Sequence, residues 1–410
     1  MNPAGDPGRI FLSVPFFLRV LLLAGLSCGP TPWTRAWAEP RRPTDDAEVL
    51  ERLPRVLRFA ADQLSGLRAA AAQDPTDADA AARLAAVLLE IARREDDPRF
   101  LGQARAALAR WWGEPAPPVP VLRLRAKLRE RDHDYAGALA DLGRVLAAEP
   151  GDAQALVETA NLRYVTGDYA ASGAAVDRLE AAGEGRAAAV AGLPLRVATG
   201  EAGEARAAAD RLLADPDTPP AVLGFADVVG GDAARALGDD ADAERRFRVG
   251  LARGPADAYL LRAWADFLLD RGRPEEALAA TAGRLGDTGL LLRHALAAQA
   301  AGDGEAAAAA AARLADRFRE IRLRGGTPHG RYEARFLLAF GGDPDAALAV
   351  ALENWARQKQ ARDTRNLLEA ALAAGRPGAA APAIRFLRES GTRDADLDPL
   401  VRALEAGAAR

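Results

Sequence analysis

The sequence predicts an all-α protein built from stacked helical hairpins. Three features indicate this: alanine dominates the apolar residues, runs of β-branched residues are almost absent, and a motif recurs at a spacing typical of helical hairpins. Hydrophobic residues make up 49% of the 410 residues, so a sizeable core is possible, whereas aromatic residues make up only 6%. Small side chains let helix axes approach closely, and strand-forming residues are scarce. The composition therefore favours closely packed helices over sheets.

The recurring motif is Asp-Tyr-Ala, found at residues 134–136 and again 34 residues later at residues 168–170. Each copy follows a helical run and a turn, and opens a second helical run. Turn glycines continue the pattern along the chain at Gly167, Gly200, Gly238, Gly272, Gly302, Gly341 and Gly375. About five positions after each turn comes a small residue: Ser172, Ala205, Ala243, Ala277, Ala307, Ala346 and Ala380. Glycine permits the left-handed geometry that ends a first helix, and a small residue lets the second helix pack tightly on it.

Two of these units resemble the tetratricopeptide repeat. The residues that carry the resemblance are Leu156, Ala160, Gly167, Asp168, Tyr169, Ser172 and Val176 in one unit, and Leu261, Ala265, Gly272, Pro274, Glu275, Glu276 and Ala277 in the other. The resemblance covers roughly residues 77–391 and implies a right-handed α-α superhelical solenoid of about eight or nine helix–turn–helix units with a C-terminal capping helix. It also implies that the first helix of each unit lines an inner groove. The motif is specific for fold and not for function, because the family scaffolds many unrelated complexes.

The predicted organisation has five parts. Residues 1–38 are predicted to be a secretory signal peptide, residues 39–113 to hold N-terminal helices and a degenerate first repeat, and residues 114–120 to form a proline-rich loop. The repeat array is predicted over residues 121–391, and the capping helix and tail over residues 392–410. Solenoids need such a cap to cover their last apolar face.

The signal peptide is predicted from the start of the chain. Arg9 and Arg19 precede an apolar run at Val20–Leu26, and Ala36-Trp37-Ala38 fits the small-x-small cleavage pattern. We expect export across the inner membrane, to the periplasm of a bacterium, and no transmembrane segment in the mature chain. Cys28, the only cysteine of the sequence, leaves an alternative open, in which lipid attached to this residue anchors an envelope assembly factor.

Charge and motifs narrow the range of functions. The net charge is −4 with both signs interspersed, so the basic face typical of nucleic-acid-binding proteins is missing. The sequence has no HExxH, GxSxG or P-loop motif, and we predict no enzymatic activity, no cofactor and no metal site. The predicted function is a non-catalytic scaffold of the bacterial envelope that binds a protein or peptide partner in the concave groove. A subunit of an enzyme complex is a further alternative.

The candidate partner-binding residues fall into two groups. Counting back from the turn glycines places four residues on the groove face: Asn161, Tyr164, Arg262 and Asp266. Four more belong to the polar region that begins at His329: Arg331, Arg335, Asn354 and Arg365. Tyrosine and arginine are favoured at binding hot spots. Two interpretations of the second group stay open, a polar network that holds two irregular units together and a ligand patch on the concave surface.

Three local expectations concern single residues. His133 lies between two aspartates and is predicted to occupy a solvated turn. His294 lies among leucine and alanine residues and is predicted to be packed or partly buried. Pro328 is predicted to occupy the first turn of the helix that follows it.

Overall fold

Helices account for every regular element in the part of the chain that the structure describes. The computed structural model describes residue 45 and residues 55–95, 99–254, 258–323 and 328–408, and within these ranges the all-α prediction is confirmed. The predicted signal peptide, with Cys28, lies outside the described residues. None of the described helices combines the length and the apolar character needed to cross a membrane.

Twenty α-helices are formed by the described residues. The first ten are α1 Arg55–Gln73, α2 Ala78–Glu95, α3 Arg99–Ala107, α4 Val119–Arg131, α5 Tyr135–Ala148, α6 Ala153–Thr166, α7 Tyr169–Ala181, α8 Gly185–Ala198, α9 Ala202–Ala214 and α10 Pro220–Ala236. The second ten are α11 Asp240–Ala252, α12 Ala258–Asp270, α13 Pro274–Thr281, α14 Thr288–Ala300, α15 Gly304–Leu323, α16 Gly330–Phe336, α17 Pro344–Arg357, α18 Ala361–Ala373, α19 Ala381–Glu389 and α20 Asp398–Ala408.

These helices form consecutive hairpins within one compact unit, Val56–Arg410. Each even-numbered helix from α2 to α18 packs on the helix that follows it, so the described residues contain nine hairpins. We call the even-numbered helices α2 to α18 the A helices and their partners α3 to α19 the B helices. The prediction of eight or nine helix–turn–helix units is confirmed.

The turn between the two helices of a hairpin repeats the same local chemistry. Gly167 ends α6 in the left-handed conformation, with a φ of 84°. Asp168 then caps α7, because its side chain accepts a hydrogen bond from the backbone N–H of Ala171. Ser172 is fully buried against α6 and donates its hydroxyl hydrogen to the carbonyl of Ala160 at 2.8 Å. The recurring glycine, aspartate and small residue are thus a helix stop, a helix start and a packing contact.

The turn near Gly341 differs from the predicted position by one residue. Residues Leu337–Gly341 form a short π-helix after α16, and Gly342 adopts the left-handed conformation with a φ of 65°. The buried small residue of this hairpin is correspondingly Ala347, which is 0% exposed, and not Ala346. A π-turn takes an extra residue per turn, which moves the pattern along by one position.

Two predictions concern single features of the C-terminal region, a proline in the first turn of a helix and a terminal capping helix. His329 caps α16, so Pro328 precedes the cap and does not lie in the first helical turn. The predicted capping helix is present as α20, where Leu404 is 1% exposed and packs into the core of the last hairpins.

Candidate binding cavity and cleft

The C-terminal hairpins pack back on the A helices of earlier hairpins. The backbone N–H of Lys359 donates to the carbonyl of Val165 at 2.8 Å, and that of Ala395 donates to the carbonyl of Ala236 at 3.0 Å. The Thr392 hydroxyl donates to the carbonyl of Ala198 at 2.5 Å. These bonds join segments far apart in sequence, so the region from α16 to α20 covers part of the face that the A helices present.

A cavity of about 150 Å³ lies where the two regions meet. Its walls come from the A helices α6, α8, α10, α12, α14, α16 and α18, together with the segment that precedes α20. No B helix contributes a lining residue, in agreement with the expectation that A helices form the inner side of the array. The lining combines six arginines and five aspartates with three tyrosines: Tyr164, Tyr259 and Tyr332.

Asp266 lies at the centre of the charged lining. It accepts hydrogen bonds from Arg293 at 2.5 Å and from Arg335 at 2.6 Å, and the nearest guanidinium nitrogen of Arg362 is 3.3 Å away. Burial alone would raise the pKa of Asp266, but these three arginines hold it well below its usual range. Since Arg293 is only 3% exposed, its charge depends on this carboxylate for compensation.

A second group of ion pairs ties the segment before α20 to the A helices. Asp270 accepts two hydrogen bonds from Arg365, at 2.7 and 2.9 Å, and one from Arg235 at 2.6 Å. Arg235 also donates to Asp396 at 2.6 Å. Bidentate arginine–carboxylate pairs of this kind add geometric specificity as well as energy.

A larger cleft of about 940 Å³ lies beside the cavity. Its walls come mainly from the C-terminal ends of α4 and α15, the start of α14, and α16, and it shares Arg331, Tyr332 and Gln360 with the cavity. Gly289 is required at this place, because an added Cβ would lie 2.6 Å from Arg262 and 2.8 Å from Tyr332. The shared residues show that the cleft adjoins the cavity, but the cleft also takes lining residues from the B helices α3, α5, α15 and α17.

Two histidines meet at the edge of the cleft. Nε2 of His133 lies 3.1 Å from Nδ1 of His329, and the two rings are nearly perpendicular. Burial lowers the pKa of both imidazoles, that of His329 to about 4 with a further contribution from His133. His133 lies in a turn as predicted, with a φ of 60°, but the prediction that it is solvated was wrong, because its ring is half-buried and contacts Gln358 and Tyr135. His294 is partly buried as predicted, with Nδ1 3.0 Å from the Thr281 hydroxyl.

The structure brings most of the predicted site residues together. Five of them line the cavity: Tyr164, Asp266, Arg331, Arg335 and Arg365. Two others line the cleft, Arg262 and Asn354, as does Arg331. Asn161 is exposed and donates to Glu130, itself a cleft residue, at 3.3 Å. Whether these residues bind a partner stays a prediction.

Both interpretations of the His329 region find support in the same contacts. Nε of Arg331 donates to Asp363 at 2.7 Å, and the Asn354 side chain donates to the same carboxylate at 2.8 Å. Asn366 donates to the Arg331 carbonyl at 2.8 Å. These bonds connect α16, α17 and α18 as a polar network, and they also fix a wall of the cavity.

Sequence reasoning missed several lining residues. Arg293 follows three leucines in α14, and an isolated charge in such an apolar run requires a buried partner, which is a usable signal. Arg362 and Tyr259 carry no comparable signal, because nothing near them in sequence distinguishes them from surface residues. Within the described ranges, no group of three or more histidine, cysteine, aspartate or glutamate residues is arranged to hold a metal ion.

The hairpins, their left-handed turn residues and their buried small residues define a tetratricopeptide-like repeat protein. Among solved structures, the chain is similar to a tetratricopeptide repeat protein from Parabacteroides merdae, with 17% identity, coverage of 59% of this chain and 93% of that one, and a TM-score of 0.48. It is also similar to the type IV pilus biogenesis factor PilW, with 20% identity, coverage of 49% and 94%, and a TM-score of 0.40. No protein-family model and no curated protein matches the sequence. The similarity to these structures is one of fold alone.

Proposed function

We propose that this chain is a non-catalytic binding protein that holds an extended segment of a protein partner in the cleft. The observation that best supports this is the division of the inner face. The C-terminal hairpins cover part of the A helices and leave, beside them, a cleft of about 940 Å³. Binding sites of proteins commonly have volumes of about 300–1,000 Å³.

The polar groups of the cleft suit a peptide backbone. Gln358 and Gln360 present side-chain amides to the cleft, and an amide can both donate to and accept from a peptide group. The amide nitrogen of Gln358 contacts His133 and Tyr135, and the amide oxygen of Gln360 accepts from Arg331, so the other half of each amide is the part that can pair with a peptide group. Gly286 is exposed and has no atom within 4 Å of its Cβ position, so it leaves the cleft wall open at that point. An extended segment could therefore approach that wall closely while its peptide groups pair with the amides.

The charges of the cleft favour a segment of mixed polarity. Four arginines line it, Arg131, Arg262, Arg317 and Arg331, and three acidic residues lie among them, Glu130, Asp287 and Glu320. The fourth positive charge is balanced from outside the cleft, because Arg331 pairs with Asp363. Arg262 donates to Asp287 at 2.6 Å, which neutralises both groups within the wall. A surface so balanced does not provide the excess of positive charge that a nucleic acid requires.

The predicted partner-binding residues have two roles under this proposal. Arg262 contacts the bound segment, Asn354 fixes the cleft wall through its bond to Asp363, and Asn161 orients Glu130 at the edge. The others, Tyr164, Asp266, Arg331, Arg335 and Arg365, hold the C-terminal hairpins in the position that shapes the cleft.

A photo-reactive amino acid at Glu320 tests the proposal in cells that make the protein. Glu320 lines the cleft, whereas its neighbour Arg319 is 65% exposed and does not, so Arg319 is the matched control site. We expect a discrete protein adduct from position 320 that is absent from position 319, with the cross-link mapping to one segment of the partner. Equal adducts from both positions, or none from position 320, would contradict binding in the cleft.

We also propose that the protein acts in the bacterial envelope, after removal of a signal peptide ending at Ala38. The support is the sequence pattern of residues 9–38, with two arginines, an apolar run and a small-x-small site. The mass of the mature chain tests this, since cleavage after Ala38 leaves Glu39 as the first residue. A lipid-modified Cys28 at the N-terminus would support the anchored alternative instead.

A further inference from the structure

The cavity beside the cleft has the size and the unpaired polar groups of a small-molecule site. Its volume is about 150 Å³, and an apolar cavity of about this volume is large enough to take up benzene. Tyr259 is 37% exposed, yet burial by the surrounding protein raises its pKa to about 12. Tyr259 lines the cavity, so part of its accessible surface belongs to this space.

Several donors in the lining have no partner in the described part of the chain. The hydroxyls of Tyr164, Tyr259 and Tyr332 make no hydrogen bond there, although stacking on Tyr169 and Phe225 positions the first two rings. The Arg362 guanidinium also makes none, since its nitrogens are 3.3 Å from Asp266 and 3.6 Å from Asp232 without hydrogen-bond geometry. Nη2 of Arg362 is buried, and buried polar groups are normally paired, so this group indicates a missing partner. The tyrosine hydroxyls are accessible and can bond to the same partner.

The charges of the cavity lining balance as a whole, but one end of the cavity has more arginines than carboxylates and the other end has more carboxylates than arginines. At one end four arginines are matched by three carboxylates, if the Asp363 partner of Arg331 is included: Arg293, Arg331, Arg335 and Arg362 with Asp232, Asp266 and Asp363. At the other end, with the Arg271 partner of Asp396 and the Glu369 partner of Arg365 included in the same way, three arginines are matched by four carboxylates: Arg235, Arg271 and Arg365 with Asp270, Glu369, Asp394 and Asp396. Within the described residues Asp394 pairs with no arginine, its carboxylate accepts the backbone N–H of Asp396 at 2.9 Å, and burial raises its pKa. Asp266 and Asp270 are one helical turn apart, so the two ends are separated by about 5–6 Å.

We propose that this cavity binds a small zwitterion that carries a carboxylate and an ammonium group on a short apolar body. The carboxylate accepts hydrogen bonds from Arg362 and the tyrosine hydroxyls, and the ammonium group donates to Asp394. Pro194, Val197 and Val229 supply an apolar wall for the body. The three residues shared with the cleft, Arg331, Tyr332 and Gln360, lie at the boundary through which the molecule enters.

Two isomeric probes test this proposal by isothermal titration of the purified protein. Leucine places its ammonium and carboxylate groups on one carbon, whereas 6-aminohexanoate separates them along the chain. We expect one of the two isomers to bind at least tenfold more tightly than three singly charged analogues. Two of these, 4-methylpentanoate and hexanoate, lack the ammonium group, and the third, hexylamine, lacks the carboxylate. Absence of binding by both isomers, or equal binding of the singly charged analogues, would overturn the proposal and indicate a cavity that holds water only.

Variants locate the bound probe in the cavity. We expect Arg362→Gln and Asp394→Asn each to weaken binding roughly 10- to 100-fold, because each removes a charged hydrogen-bonding partner. Tyr259→Phe keeps the packed ring, and we expect it to weaken binding about fivefold even if the charge variants fold poorly.

Arg376→Gln is the matched control, since Arg376 is 64% exposed and pairs with exposed Asp345. Unchanged affinity in Tyr259→Phe and Arg362→Gln would place the probe elsewhere and refute the assignment. Failure of the cleft cross-linking experiment would leave this result unaffected.

Discussion

At the inner face, the charges of buried side chains are neutralised by ion pairs within the fold. Asp266 is the ion-pair partner of three arginines, and one of them, Arg293, is almost fully buried. Removing one member of a buried ion pair leaves the other uncompensated in a medium of low polarity, which costs far more than the pair contributes. The stability of the C-terminal region therefore depends on this carboxylate.

We expect Asp266→Asn to lower the free energy of unfolding by about 3–5 kcal/mol, the usual consequence of leaving a buried charge unpaired. Chemical denaturation monitored by circular dichroism measures this change. Asp345→Asn is the control, because Asp345 is 69% exposed and its pair with Arg376 lies at the surface. A loss below about 1 kcal/mol in Asp266→Asn would show that Arg293 and Arg335 find other partners.

The histidine pair predicts a dependence of stability on pH. The unfolded imidazole of His329 binds a proton near its ordinary pKa of 6.5, while burial keeps the folded one neutral down to about pH 4. The unfolded state thus binds more protons between these values, and stability falls as the pH is lowered from 6.5 to 4. Cationic groups facing the pair oppose protonation as well, namely Arg131, Arg262, Arg331 and Arg357, whereas Asp363 favours it.

We expect the melting temperature to fall less steeply over this pH range in His329→Gln than in the unmodified protein, because the variant lacks the proton-binding group. Thermal melts at matched ionic strength give the comparison. An NMR titration that places the pKa of His329 near 6.5 in the folded state would refute this account.

The individual hairpins show which local features a sequence can predict. The turn glycine and the buried small residue are set by backbone geometry and by contact with the adjacent helix, so they recur visibly, as at Gly167 and Ser172. His133 takes the left-handed position in one hairpin with a φ of 60°, and no glycine marks that turn. The shift at Gly342 was not predictable in this way, because a π-turn inserts one residue without changing the residue types around it.

We expect Gly342→Ala to destabilise the protein by about 1–2 kcal/mol, since a side chain in the left-handed conformation is strained even where space is available. Gly342→Asn should cost less, because asparagine tolerates this conformation. Denaturant titration of both variants measures the difference. If the alanine and asparagine variants are equally stable, the left-handed turn at this position is refuted.

At the scale of the whole array, the sequence repeat predicts that each hairpin packs on the next one along the chain. It does not predict that the C-terminal hairpins pack back on the A helices of earlier hairpins. A repeat pattern describes contacts between adjacent units, which local residue types encode. Some contacts between the C-terminal hairpins and the earlier A helices use backbone groups, at Val165 with Lys359 and at Ala236 with Ala395, which leave no pattern in side chains. Others are ion pairs such as Arg235 with Asp396, whose partners are too far apart in sequence to be matched. Of the five predicted residues that line the cavity, Tyr164 and Asp266 lie on the earlier A helices, and Arg331, Arg335 and Arg365 lie on the C-terminal hairpins that pack against them. The packing of these two regions on each other had no sequence signal.

The most direct test of this architecture is a disulfide between α10–α11 and the segment before α20. A Cβ built at Gly238 lies 3.6 Å from the Cβ of Ala395, within the range of about 3.5–4.5 Å found in disulfides. The experiment uses Gly238→Cys with Ala395→Cys, in a chain in which Cys28 is replaced by serine. The control pairs Ala395→Cys with Gly272→Cys, because Gly272 is another left-handed turn glycine with no atom within 4 Å of its Cβ position.

We expect the 238–395 pair to form an intramolecular disulfide under mild oxidation, seen as a two-hydrogen loss in intact mass and a linked peptide after proteolysis. The 272–395 pair should stay reduced under the same conditions. If neither pair links, or both link at the same rate, the C-terminal hairpins do not pack on the A helices as described, and the cavity and the cleft that depend on this packing do not exist.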